Sequence, residues 1–124
     1  MYKTKIVEIG PIVEDFAEEF LLVLFGPQAM AELRDICVIH ESSEEPKDVI
    51  QKNGRLTIGE QVYRILDVGE EANPNFESLG HISIYFRDGE NNEILPGAIL
   101  VEPKVFPVLT CLLYTSPSPR DGAT

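Results

Sequence analysis

His81-Ile82-Ser83-Ile84-Tyr85-Phe86-Arg87 is the stretch that decides the fold class. Ile82, Ile84 and Phe86 fall on alternate positions, with Ser83 and Tyr85 between them. That period of two turns one apolar face toward a core, the signature of a β-strand. Gly80 precedes the stretch, and Asp88-Gly89-Glu90-Asn91-Asn92 supplies turn chemistry after it. Beyond that turn and the Pro96-Gly97 break, Ala98-Ile99-Leu100-Val101 reads as a further strand. Upstream, Leu56-Thr57-Ile58 and Gln61-Val62-Tyr63-Arg64-Ile65-Leu66-Asp67-Val68 are strands parted by Gly59-Glu60. Between them and the first stretch, Asn73-Pro74-Asn75-Phe76-Glu77-Ser78-Leu79-Gly80 predicts a small helix. Asn73 is its cap, Pro74 its first helical position and Gly80 its terminator.

The first third of the chain mixes both periods. Residues 3–9 predict an opening strand stopped by Gly10-Pro11. Over residues 12–19, Ile12, Val13 and Phe16 recur at helical spacing while Glu14, Asp15, Glu18 and Glu19 turn outward. Leu21-Leu22-Val23-Leu24-Phe25 is a continuous apolar run closed by Gly26-Pro27, which predicts a buried strand. Good helix formers over residues 29–35 predict a short helix, and Ile36-Cys37-Val38-Ile39-His40 a strand. Residues 41–53 are acidic and loop-like, with Pro46 inside and Asn53-Gly54 as a turn at the end. Many short strands with regular turn signals make the chain mainly β, a small barrel or sandwich with one or two short helices.

Composition narrows the function classes. The chain has 124 residues, enough for one domain with a working core. Ten Lys plus Arg against 21 Asp plus Glu give a net charge of −11. Nucleic acid or anionic lipid would demand the opposite balance, so a basic protein patch is the more natural partner. No apolar run reaches the ~18 residues of a membrane helix, so the protein is not expected to be membrane-embedded. The first residues lack a secretory signal, which points to the cytoplasm. Two cysteines, Cys37 and Cys111, make no disulfide framework. The stretch from Cys111 changes character, with Ser116-Pro117-Ser118-Pro119 spacing and one acid and one base, Asp121 and Arg120. Residues 111–124 read as an atypical tail, either adapter-like sequence joined to a truncated reading frame or a disordered C-terminus. Residues 1–110 are then the domain, and on the adapter reading the native C-terminus is expected to be missing.

Few groups carry chemistry. There is no G-x-G-x-x-G after a strand, no Walker loop, no G-x-S-x-G and no H-E-x-x-H. Of two histidines, His40 closes a strand just before Glu41-Ser42-Ser43, and His81 opens one just after Gly80. Strand ends beside loops are where a rigid scaffold presents reactive side chains. Three readings of the pair are open. Metal binding would use His40, His81, Cys37 and Glu41, but alternation along a strand points Cys37 and His40 to opposite faces, and structural zinc wants four ligands. Both imidazoles can instead be surface or half-buried side chains without chemistry. The third reading is covalent phosphoryl transfer, to which a neutral imidazole nitrogen at cytosolic pH is suited. Such a site would want donors nearby: backbone N–H groups, Ser42 or Ser43, or the second imidazole.

Four stretches in order resemble the glucitol/sorbitol-specific IIA component of the phosphoenolpyruvate-dependent sugar phosphotransferase system. They are Leu33-Arg34-Asp35-Ile36-Cys37-Val38-Ile39-His40 preceded by Phe25-Gly26; Ile58-Gly59-Glu60-Gln61-Val62-Tyr63 with Val68-Gly69; Asn75-Phe76-Glu77-Ser78-Leu79-Gly80-His81-Ile82-Ser83; and Leu95-Pro96-Gly97-Ala98-Ile99. The ordered set carries the resemblance, over about residues 1–109. The resemblance implies a closed, mainly β barrel and a cytoplasmic phosphocarrier without cofactor or metal. The phosphorylated carrier HPr would donate to His40, which would pass the group to the IIB domain of a glucitol/sorbitol permease. His81 matches the family's Leu-Gly-His and is expected to lie near His40 and orient the phosphoryl group. The tail departs from the family, since the expected final β segment is replaced there. The competing function class is a non-catalytic β-barrel module that regulates or binds a partner without covalent chemistry.

Overall fold

The computed structural model describes residues 2–87 and 94–109, and the backbone of a strand at 114–116. The turn expected over residues 88–92 lies outside the described residues. Among the described residues eight strands form the sheet: β1 (Thr4–Ile9), β2 (Leu21–Phe25), β3 (Val38–Glu41), β4 (Arg55–Ile58), β5 (Gln61–Val68), β6 (Ile82–Phe86), β7 (Ala98–Glu102) and β8 (Tyr114–Ser116). Their order is β1-β3-β2-β6-β7-β5-β4-β8, a sheet that curls until β8 pairs with both β1 and β4 and closes a barrel. A 3-10 helix (Val13–Glu19) follows β1, α1 (Ala31–Arg34) lies between β2 and β3, and α2 (Ala72–Leu79) between β5 and β6. The mainly β barrel with short helices is therefore the observed fold. Its closing strand comes from the compositionally distinct stretch after residue 110.

Alternation sets which face each strand buries. Ile82, Ile84 and Phe86 of β6 face the barrel interior beside Leu22 and Leu24 of β2, the partners of Ile84 and Ile82. Each such side chain withdrawn from water contributes about 1.5–3 kcal/mol. A one-residue slip would turn the whole set outward, so the register is strongly specified. The run 21–25 is an alternating strand, not a uniformly buried one: Leu22 and Leu24 are buried, while Leu21, Val23 and Phe25 are half-covered. Their continuous hydrophobicity has a separate cause. A second, outer cluster of Ala29, Cys37 and Ile39 packs against Val7, Val23, Phe25 and Leu33. The α1 segment thus roofs the outer face of β2 and β3, and Arg34 ties it to β1 through Glu8 at 2.5 Å.

Two sequence-level signals land differently. Helix α2 begins at Ala72 with Glu71 as its cap, and Asn73 lies inside the first turn. The Asn73 amide instead accepts from the Ile50 N–H (3.1 Å) and donates to the Ile50 carbonyl (2.9 Å), pinning the long 42–54 loop to the helix. The 12–19 segment is helical as expected, but as a 3-10 helix, with Val13 its one buried residue. Gly80 ends α2 in the left-handed region, as the sequence indicates.

Candidate functional site

β3 carries Val38 and His40 toward the interior and Ile39 toward the outer cluster. His40 is paired in the ladder with Ile6 of β1, and the register shifts just past it, between Ile6 and Glu8. Such a bulge bends a strand and re-aims its side chains. The His40 side chain is 3% exposed and has a partner at each ring nitrogen. Nδ1 lies 2.6 Å from the Thr4 hydroxyl on β1. Nε2 lies 2.8 Å from the Gly80 carbonyl at the end of α2. One ring face stacks on Phe76 of α2, with centroids 5.5 Å apart and planes 13° from parallel. Tyr2 meets the same phenyl ring edge-on.

The chemistry follows from these partners. A carbonyl oxygen only accepts, so Nε2 carries a proton and donates it to Gly80. Burial pushes the His40 imidazole below its ordinary range, and the Gly80 hydrogen bond partly offsets this by favouring the charged form. The ring is therefore neutral near pH 7, with a lone pair on one nitrogen. That is the state in which an imidazole acts as a nucleophile.

Gly80 has to be glycine at this position. Its φ is 69°, and a Cβ there would lie 2.9 Å from the Gly26 nitrogen and 3.2 Å from His40 Nε2. Gly26 in turn donates its N–H to the Leu79 carbonyl at 2.9 Å. The β2–α1 turn and the end of α2 are thus locked together over the imidazole.

The other candidate residues fall around this centre. His81 follows Gly80 directly, and its ring packs on Phe25 with centroids 4.8 Å apart. That contact is on the side of the outer cluster, with the Gly80 peptide between the two histidines. His81 Nδ1 is buried and has no hydrogen-bond partner among the described residues. Cys37 is buried with Ala29 and Ile39 on the outer side, where burial pushes its thiol up. Among the described residues no three His, Cys, Asp or Glu side chains converge as a metal set. Ser42 donates to the Lys3 carbonyl at 2.5 Å and accepts from the Glu44 N–H, so its proton is committed away from the ring. The hydroxyl at the imidazole is that of Thr4, which the sequence does not single out. Thr4, Phe76 and the Gly80 carbonyl complete the site. Of these, only Gly80 left a signal, as a helix terminator.

Inside the barrel next to this cluster is an apolar cavity of about 50 Å³, lined by Tyr2, Thr4, Leu24, Phe76 and Ile82 among others. It is far short of the ~300 Å³ at which small-molecule pockets begin. Among the described residues no helix is long and apolar enough to cross a membrane.

Comparison with known proteins agrees with this architecture. The family model described as "PTS system glucitol/sorbitol-specific IIA component" matches residues 1–111. The glucitol/sorbitol-specific EIIA component of Shigella flexneri is 32% identical over 101 residues, which cover 82% of this chain and 80% of that one. The component from Escherichia coli (strain K12) matches to the same extent. The crystal structure of a PTS system IIA component from Enterococcus faecalis V583 superimposes with a TM-score of 0.86 at 25% identity, covering 94% of this chain and 98% of that one. The chain belongs to the glucitol/sorbitol-specific IIA components of the sugar phosphotransferase system.

Proposed function

We propose that the chain is a cytoplasmic phosphocarrier that takes a phosphoryl group from phosphorylated HPr onto His40. It then hands the group to the IIB domain of a glucitol/sorbitol permease. The observation that carries this reading is the setting of His40: a buried imidazole, oriented by Thr4 and Gly80 at its two nitrogens and by Phe76 at its face. Family membership supplies the reaction class, since IIA components belong to a phosphoryl-transfer system. Transfer between two imidazoles needs an in-line approach and charge stabilisation, which is positioning more than covalent chemistry by the protein. The excess of acidic residues favours encounter with a basic partner surface, an attraction that salt weakens. His81 is assigned the supporting role of orienting the phosphoryl group, on the ground that it directly follows Gly80. Residues 1–110 are taken as the phosphotransferase domain and residues 111–124 as an adapter-like tail set apart by composition, whose segment 114–116 nonetheless pairs with β1 and β4.

Phosphoenolpyruvate, Enzyme I, HPr and the chain are mixed, and the product is mapped by mass spectrometry. The expected result is one acid-labile phosphohistidine, at His40. Undiminished labelling of His40→Ala would sink the assignment. Unchanged uptake and transfer by His81→Asn would remove His81 from the site. The burial of His40 also favours a second reading, a non-catalytic module in which the imidazole is a structural link between β1, β3 and α2. That reading predicts no phosphoryl uptake by the wild-type chain.

A further inference from the structure

Thr4 is buried to 3% exposure, lies on a strand and makes two polar contacts with one hydroxyl. Its Oγ1 is 2.6 Å from His40 Nδ1 and 2.9 Å from the Glu41 carbonyl. A hydroxyl has one proton and two acceptor lone pairs. Both contacts can be made at once only if one of them is an acceptance, and a carbonyl cannot donate. For a neutral ring two arrangements remain, each giving up one of the three contacts that Thr4 and the two ring nitrogens make. With Nε2–H donated to Gly80, Thr4 donates to Nδ1 and leaves the Glu41 carbonyl. With the proton on Nδ1, that N–H donates to Thr4, which donates onward to Glu41.

We propose that Thr4 is a positioning residue for phosphoryl transfer, one that holds His40 in either tautomer and leaves Nε2 as the nitrogen that takes the phosphoryl group. The inference rests on His40 being the acceptor. Nδ1 faces the Thr4 side chain at the start of β1, a residue whose ladder partner is Thr115 of β8. Nε2 faces a backbone carbonyl in the α2–β6 turn, whose neighbours Leu79 and Gln28 are exposed. Nε2 is thus the nitrogen that a second protein reaches by displacing one turn.

As the Gly80 contact opens, Nε2 releases its proton to water and Nδ1 takes one up from water, so that the ring stays neutral and Nδ1–H donates to Thr4. The Nε2 lone pair then forms the new N–P bond while the N–P bond of the donor phosphohistidine breaks, its electron pair returning to the donor imidazole. The charge left on the His40 ring is held by Nδ1–H, Thr4 and Glu41 in series. A positioned hydrogen bond to a charged ring is a strong one.

The test uses the full chain with ¹⁵N-labelled histidine, Thr4→Val and Thr4→Ser. In the unphosphorylated wild type, long-range ¹H–¹⁵N spectra should report His40 as protonated at Nε2, with Nδ1 as acceptor. After phosphorylation, the phosphorus should be on Nε2 and the proton on Nδ1. Thr4→Val should lower the rate of uptake from phosphorylated HPr about tenfold to a hundredfold and shift the Nδ1 resonance. Thr4→Ser should restore both to near wild type. A phosphoryl group on Nδ1, a Thr4→Val chain with wild-type rate and Nδ1 resonance, or a Thr4→Ser chain as slow as Thr4→Val overturns the proposal. If Thr4→Val is unfolded, the wild-type nitrogen assignments and Thr4→Ser still decide it. Absence of any labelling of folded wild type refutes the phosphocarrier reading instead, and the tautomer in the unmodified chain then tests the Thr4 hydrogen bond by itself.

Discussion

Gly80→Ala separates what the backbone needs at the end of α2 from what His40 needs. At φ 69° a residue with a Cβ costs about 1–2 kcal/mol relative to glycine. The added carbon would also stand 2.9 Å from the Gly26 nitrogen and 3.0 Å from its Cα. Those are backbone atoms of a buried residue, so relief requires moving the β2–α1 turn, at about 1–3 kcal/mol, as in other overpacked sites. The sum, ~2–5 kcal/mol, lowers the melting temperature by on the order of 10 °C. Gly59→Ala is the comparison, because Gly59 has φ 62° in the β4–β5 turn, away from the Gly80–His40 hydrogen bond. It should lose ~1–2 kcal/mol. Urea unfolding followed by circular dichroism reads the stability of both variants. The His40 ¹⁵N resonances should move in Gly80→Ala and stay in place in Gly59→Ala. If the two variants lose equal stability and the His40 signals are the same in each, the close approach of Gly80 to Gly26 and His40 has no energetic weight, and the reasoning fails.

Three further outcomes follow from the same geometry. His40 has its imidazole lowered by burial, so the unfolded chain binds a proton that the folded chain resists. Stability from this group is complete above the ordinary value of ~6.5 and falls as pH drops below it, with a slope of at most about 1.4 kcal/mol per pH unit. Urea midpoints between pH 7.5 and 5.5 should decline more steeply in wild type than in His40→Gln, and parallel curves would contradict the burial argument. Asn73→Ala should lose about 1–3 kcal/mol, because both Ile50 backbone groups lose their side-chain partner, and a urea midpoint within error of wild type would refute that. Cys37, buried with a raised thiol, should react with a thiol reagent about a hundredfold more slowly in the folded chain than in urea. Peptide mapping reads it separately from Cys111, and equal rates would mean the outer cluster is open.

Much of the fold was legible because each strand writes its own period. The alternation of residues 82–86, the Gly59-Glu60 turn and the Gly80 stop depend on neighbours along the chain, and all appear where the sequence puts them. What was illegible depends on distant partners. Asn73 has the composition of a cap, yet its amide is drawn to Ile50, 23 residues away, by a loop whose path no local pattern encodes. The uniform run 21–25 hides two different burials, because the outer roof is built by residues 29–39. His40 was identifiable as a scarce imidazole at a strand end, but its partners were not. Thr4 lies among Lys3 and Lys5 with no feature to mark it, 36 residues from the ring it bonds. The Gly80 contact is made by a backbone carbonyl, which has no letter in the sequence.

The imidazole's partners also have an order of birth. Thr4 precedes His40 by 36 residues and Gly80 follows it by 40. At a synthesis rate of about 5–20 residues per second, a growing chain carries His40 for some seconds before Gly80 exists. Over most of that interval, and in any chain terminated before residue 76, the histidine has neither the carbonyl at Nε2 nor the Phe76 face that orients it. Incomplete chains therefore hold the imidazole without the carbonyl and the aromatic face that orient it. The set of contacts at His40 is complete only once the chain has passed Gly80.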